Sequence, residues 1–135
     1  MNKKEANKKR WNNLKSLVIV IVLMLLSGFI DALPWWFFIV PVIGFGIVTA
    51  LAEWEVSAFT VGCAGGFIVW CGLNLYYDYT GYGIILNKVG AIIAVSKPVI
   101  LIVSGVPGAI LAGLALYTGN VFIARNKIIS LEDRA

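Results

Sequence analysis

The sequence predicts an all-α integral membrane protein, with four transmembrane helices and a short interfacial or re-entrant helix between the third and fourth spans. Hydrophobic residues make up 60% of the chain and charged residues only 13%, whereas soluble domains carry about 25% charged residues. The mean hydropathy is +0.89. Between residues 16 and 124 most of the sequence lies in four uncharged stretches. Each is close to the roughly 20 residues that a helix needs to cross a bilayer.

The charges are concentrated at the two ends of the chain. Residues 1–15 carry a net charge of +5, residues 16–124 sum to −2, and residues 125–135 sum to +1. A basic segment ahead of an apolar run indicates a cytoplasmic flank that can contact anionic lipid. We therefore expect a plasma-membrane protein with a cytoplasmic segment over 1–15, a bundle over 16–124 and a cytoplasmic tail over 125–135. The basic segment lacks the aromatic and Gly-rich sequence that reads bases, so no nucleic-acid partner is expected.

The first two spans are predicted over about residues 16–33 and 36–52, separated by Pro34. A secretory signal peptide is the alternative interpretation of the first span, because a basic stretch precedes its apolar core. The sequence after Ile30 contains no small-x-small cleavage site, which favours an uncleaved anchor. The pair Trp35-Trp36 is typical of the headgroup level, where the chain would turn back.

The third and fourth spans are predicted over about residues 56–76 and 99–124, and both carry small residues at every fourth position. These candidate helix-packing residues are Ala58, Gly62 and Gly66 in the third span and Gly105, Ala109 and Gly113 in the fourth. Small residues at this spacing allow two helices to approach closely in lipid. The sequence leaves open whether the two stripes contact each other or a second subunit.

Residues 83–97 are apolar but contain Lys88 and Lys97. A fifth crossing would place Lys88 near the middle of the bilayer, at a cost of about 2.5–3.5 kcal/mol. An interfacial or re-entrant helix with Lys88 in contact with water costs less, and the predicted number of spans stays at four.

The few charged residues between the chain ends are the candidates for ion or solute movement. Asp31, Glu53 and Lys88 are the first of these candidates, because ionisable groups inside a bilayer usually mark a transport path. We predict, however, that the acids, Glu55 and Asp78 among them, lie at span ends as stop signals, and the transport role is the alternative. The tyrosines at 76, 77, 79 and 82 have a similar pair of interpretations, an interfacial aromatic belt or, with Asn74 and Asn87, a small-molecule or headgroup site.

The residue types exclude most catalytic chemistry. The chain has no histidine, so Ser-His nucleophilic catalysis is impossible. Cys63 and Cys71 are eight helical residues apart, too far to form a disulfide, and no metal or cofactor is expected. We therefore predict a non-enzymatic structural or accessory subunit that packs in the lipid bilayer against itself, as a homo-oligomer, or against another membrane protein. The alternative is a small homo-oligomeric channel or transporter.

Overall fold

The architecture comes from a computed structural model that describes residues 3–28, 30, 34–81 and 83–132, with residues 85 and 124–132 described by their backbone alone. This part of the chain contains five helices and no strand: α1 (Lys3–Gly28), α2 (Ile39–Leu51), α3 (Ala58–Thr80), α4 (Ile84–Ile93) and α5 (Lys97–Glu132). Three helices, α1, α3 and α5, are long and apolar enough to cross a membrane, and α2 is a shorter apolar helix. The all-α prediction is confirmed, and the three long helices indicate a membrane protein.

Two helices extend far beyond the spans predicted for them. The helix that contains the first span begins at Lys3, so residues 3–15 extend this helix ahead of the apolar run. Lys, Glu, Arg and Ala are strong helix formers, which allows the helix to continue through this polar stretch. Similarly, α5 continues to Glu132. At 1.5 Å per residue the 26 residues of α1 measure about 39 Å and the 36 residues of α5 about 54 Å, against a hydrocarbon core of about 30 Å.

The contacts at the helix ends define the direction of each helix. The backbone N–H of Ser57, just before α3, donates to Oδ1 of Asn13 in α1 at 3.0 Å. The first half of α1 and the start of α3 therefore lie at the same end of the bundle, which we call the basic end. The opposite end, where α3 finishes at Thr80, carries Tyr76, Tyr77 and Tyr79 and is called the tyrosine end.

The second helix is shorter than its predicted span. Residues 35–38 form turns in which Phe37 N–H donates to the Pro34 carbonyl at 2.9 Å, and the α-helix starts only at Ile39. Pro41 lies in the first turn of α2, where its missing N–H leaves no intrahelical bond unmade. The 13 residues of α2 measure about 20 Å.

The core lies around α5, which packs against both α3 and α2, while α1 packs against α3. The largest fully buried apolar side chains are Val20 of α1, Val42 of α2 and Leu116 of α5. The opposite faces of α1, α2 and α3 carry many exposed large apolar side chains, as expected for helices in contact with lipid.

The segment 83–97 contains the ten-residue helix α4 and the connection to α5. Gly83 and Ala94, on either side of α4, both have left-handed backbone conformations, with φ of 72° and 56°. The helix packs on the first turns of α5, where a Cβ on Gly90 would lie 3.1 Å from the Ile100 side chain. Ten residues measure about 15 Å, half of the hydrocarbon thickness, so α4 is too short to cross.

Candidate functional site

The two predicted stripes of small residues face each other inside the chain. A Cβ built on Gly62 would lie 2.5 Å from the carbonyl oxygen of Ala112, and one on Gly66 would lie 2.7 Å from the Ala112 Cβ. A Cβ on Gly113 would lie 3.1 Å from the Phe59 carbonyl oxygen. These distances are shorter than ordinary contacts, so the backbones of α3 and α5 touch where the glycines lie.

The remaining members of the stripes have different surroundings. Ala58 is buried at the start of α3, whereas Ala109 is only half-buried. Gly105 lies beneath Cys71, with 2.5 Å between a built Cβ and the sulfur atom. The Cys71 thiol contacts the Leu101 carbonyl at 3.4 Å.

Several close approaches were not predicted from the sequence. Gly108 packs against the Trp70 ring, at 2.8 Å from a built Cβ, and Gly46 of α2 crosses α5 at Gly119. Five of the six small residues described as buried in α5 follow steps of three and four, namely Gly105, Gly108, Ala112, Ala115 and Gly119; the sixth is Gly113. A row spaced strictly by four rotates away from the contact, because a helix turns once every 3.6 residues. The alternating pattern was the signal that could have identified Gly108 and Gly119.

Two pairs of uncharged polar side chains connect α5 to its neighbours. Asn120 Nδ2 donates to Oγ1 of Thr49 at 3.1 Å, and this hydroxyl donates to the Gly46 carbonyl at 2.8 Å. Nearer the tyrosine end, Asn74 Nδ2 donates to Oγ of Ser104 at 3.1 Å. In a medium without water such pairings satisfy groups that would otherwise be costly to bury.

The main charged site is an ion pair that the sequence did not predict. The Asp78 side chain is 4% exposed and its Oδ2 lies 2.5 Å from Nζ of Lys97, whose side chain is 40% exposed. The other carboxylate oxygen, Oδ1, accepts the backbone N–H of Leu86 at 3.1 Å. Asp78 therefore joins the end of α3 to both α4 and α5. The sequence predicts it at a water-exposed span end, as a stop signal, but the structure buries its side chain.

A cavity of about 530 Å³ borders this ion pair and is lined by Leu75, Asp78, Tyr79, Gly83 and Lys97. The three described tyrosines at this end are exposed, and Tyr79 is 85% exposed. Tyr82 lies outside the described residues. The signal for the pair was available in the sequence: one acid and one base flank the segment that α4 occupies, and a buried charge requires a partner.

The candidate transport residues are not brought together. Glu53 is exposed in the turn between α2 and α3 at the basic end, with a left-handed φ of 52°. Lys88 is exposed on α4, at the tyrosine end. Asp31 lies outside the described residues. Glu53 and Lys88 therefore lie near opposite ends of the bundle.

Two further cavities lie beside α1 near the tyrosine end. One is a groove of about 610 Å³ between α1 and α3, and the other, of about 360 Å³, also contacts the turn before α2. The two share Gly28, Val69, Leu73 and Tyr77 as lining residues. In the second cavity, the rings of Trp35 and Phe38 lie edge-on to Trp70, with centroids 5.9 and 5.8 Å away.

The described residues contain no group of three or more His, Cys, Asp or Glu that could hold a metal ion. Comparison with known proteins found no matching family model, no matching curated protein and no matching solved structure. Functional inference therefore depends on the residues of this chain.

Proposed function

We propose that this protein is a four-span, non-enzymatic subunit of the plasma membrane that acts by packing its helix bundle against itself or another membrane protein. The observation that carries the proposal is the pairing of polar groups inside the chain. Among the described residues, Ser16 has the only buried side-chain N or O atom without a hydrogen-bond partner. The bundle interior thus uses its polar groups for its own cohesion, and its outer faces are available for contact.

Helix direction supports a second crossing by α2. The Asn13–Ser57 contact brings the start of α3 back to the end of the bundle where α1 begins. The chain between α1 and α3 must return across the bundle, and α2 lies on that path. Together with the turn residues from Pro34 onward, the 13 residues of α2 come closer to the length that a full crossing needs.

Charge supports the proposed orientation. The first 15 residues carry a net charge of +5. Because Gly105 lies beside Cys71 and Gly113 lies beside Phe59, α5 runs toward the basic end. Lys and Arg close to a span favour retention in the cytoplasm, while acidic residues such as Glu53 contribute little. The proposal therefore places both termini in the cytoplasm.

One face of α2 fits a contact with a partner helix. Val42, Gly46 and Thr49 of α2 are buried in the bundle. On the other face, Val40 is 54% exposed, Val48 is 55% exposed, and Gly44 between them has no atom within 4 Å of a built Cβ. A glycine between two β-branched residues at i, i+4, i+8 forms a shallow notch that a second helix can enter.

The experiment compares Gly44→Leu with Gly72→Leu, because both are exposed glycines with open space at Cβ. The protein is purified from native membranes in gentle detergent, and copies of itself and other proteins that copurify are quantified. We expect Gly44→Leu to reduce association about tenfold, corresponding to about 1.4 kcal/mol, while Gly72→Leu leaves it unchanged.

Association that survives Gly44→Leu would remove this face of α2 as the contact. A chain that is monomeric and without partner at every concentration, yet carries an ion or solute flux in vesicles, would replace the subunit hypothesis with the channel or transporter hypothesis.

A further inference from the structure

The groove between α1 and α3 opens on the lipid-facing side of the two helices. It is lined by Ile21, Leu25 and Gly28 on one wall, and by α3 residues from Ile68 to Tyr77 on the other. None of the described lining residues is charged. Gly28 and Gly72 widen the groove, because a Cβ at either position would have no atom within 4 Å.

The two helices are in contact on the basic side of this groove. A Cβ on Gly65 would lie 2.9 Å from the Val20 side chain, and Asn13 binds the start of α3. The groove begins at Ile21 and Ile68 and continues from there toward the tyrosine end. The groove is therefore confined to the half of the bundle nearest the tyrosine end.

Its length fits one leaflet of a bilayer. At 1.5 Å per residue the α3 wall, from Ile68 to Tyr77, is about 14 Å long. Half of a hydrocarbon core of about 30 Å is about 15 Å. The groove thus begins near the middle of the bilayer and finishes at Tyr76 and Tyr77, whose phenol groups suit the headgroup level.

Its size does not fit a helix or a second copy of the chain. A volume of about 610 Å³ over about 14 Å gives a mean cross-section of about 44 Å². A helix 10–12 Å across has a cross-section of roughly 80–110 Å². A strip of this length and one helix wide covers about 150 Å², far below the roughly 800 Å² per partner of a stable interface.

We propose that this groove binds one acyl chain of a phospholipid from the leaflet at the tyrosine end, with the headgroup beside Tyr76 and Tyr77. An acyl chain is uncharged, narrower than the groove and one leaflet long, so it fits the lining, cross-section and length of the groove. The site is independent of the partner surface proposed on α2.

The test uses a phosphatidylcholine with a photoreactive group midway along one acyl chain, in vesicles of that lipid class that contain the full chain. After illumination, the labelled residues are mapped by mass spectrometry. We expect labelling to concentrate on α1 residues 21–28 and α3 residues 68–77. Gly72→Leu, which fills the groove, should lower this labelling about tenfold, corresponding to about 1.4 kcal/mol.

Gly44→Leu is the matched control, because Gly44 is an equally open glycine outside the groove. It should leave labelling of the groove unchanged, and the helical circular dichroism of both variants should match that of the parent chain. Labelling spread evenly over every lipid-facing helix would overturn the proposal, as would groove labelling that Gly72→Leu does not reduce. Cross-links through the groove between two copies, or a free fatty acid that competes out the phospholipid, would assign the groove to a different occupant.

Discussion

Gly62→Ala and Gly72→Ala should have opposite effects on stability, although both glycines lie within α3. A Cβ at Gly62 would lie 2.5 Å from the Ala112 carbonyl oxygen, about 0.9 Å inside the 3.4 Å at which ordinary contacts begin. The obstacle is backbone, so α5 itself must move. A Cβ at Gly72 meets no atom within 4 Å.

The expected magnitude follows from the two terms involved. Alanine favours a helix over glycine by roughly 1 kcal/mol at both positions, so this term cancels in the comparison. Overpacking typically costs about 1–3 kcal/mol, and it applies at Gly62 alone. We therefore expect Gly62→Ala to be less stable than Gly72→Ala by about 1–3 kcal/mol.

The assay is reversible unfolding in mixed detergent micelles, followed by circular dichroism, with the parent chain measured in parallel. Gly72→Ala should be as stable as the parent or more stable, and Gly62→Ala less stable. If the two variants unfold with the same free energy, α3 and α5 do not touch at Gly62, and the register of the bundle is wrong.

Three further changes test the polar contacts in the same unfolding assay. Lys97→Met should destabilise by less than the roughly 3–5 kcal/mol of a fully buried pair, since the Asp78 carboxylate loses its partner but the Lys97 side chain is 40% exposed. Asp78→Leu with Lys97→Met should recover part of this loss, and no coupling between the two sites would show that the ion pair contributes nothing. Thr49→Val keeps the shape of the side chain but leaves the Asn120 amide unpaired, so about 1–3 kcal/mol should be lost, whereas an unchanged stability would mean that water or lipid satisfies the amide. Ser16→Ala removes a buried hydroxyl without a hydrogen-bond partner and should leave stability unchanged or raise it by about 1 kcal/mol; a loss would reveal a hydrogen bond at that hydroxyl.

The long helices could be predicted from the sequence because uncharged length is a strong signal. Apolar runs over 16–30, 56–76 and 98–124 overlap α1, α3 and α5. The short helix α4 was also predictable, since Lys88 and Lys97 divide an apolar segment too short to span. The helical extension before Ser16 was not predicted, because hydropathy does not distinguish a polar helix from a polar coil.

The contacts between helices were harder to predict. The glycine stripes indicated that α3 and α5 could approach closely, but not that they contact each other. That choice depends on which faces of the remaining helices are occupied. Gly46 and Gly119 meet across 73 residues of sequence, and no local pattern in the sequence indicates that pairing.

The water exposure predicted for the Asp78 side chain is wrong for a related reason. Its position near the end of a predicted span suggested contact with water, but α4 packs over it and Lys97 forms an ion pair with it.

The direct contact between α3 and α5 changes the design of the association experiment. Leucine at Gly62 or Gly66 would disrupt the bundle itself, so only exposed glycines such as Gly44 can report on partners.

The ion pair between Asp78 and Lys97 also constrains how the chain is made. Ribosomes synthesise about 5–20 residues per second, so Lys97 emerges about one to four seconds after Asp78. During that interval α3 carries a carboxylate without its lysine partner. Biogenesis of this protein should therefore depend on keeping the end of α3 near water until the next nineteen residues have been translated.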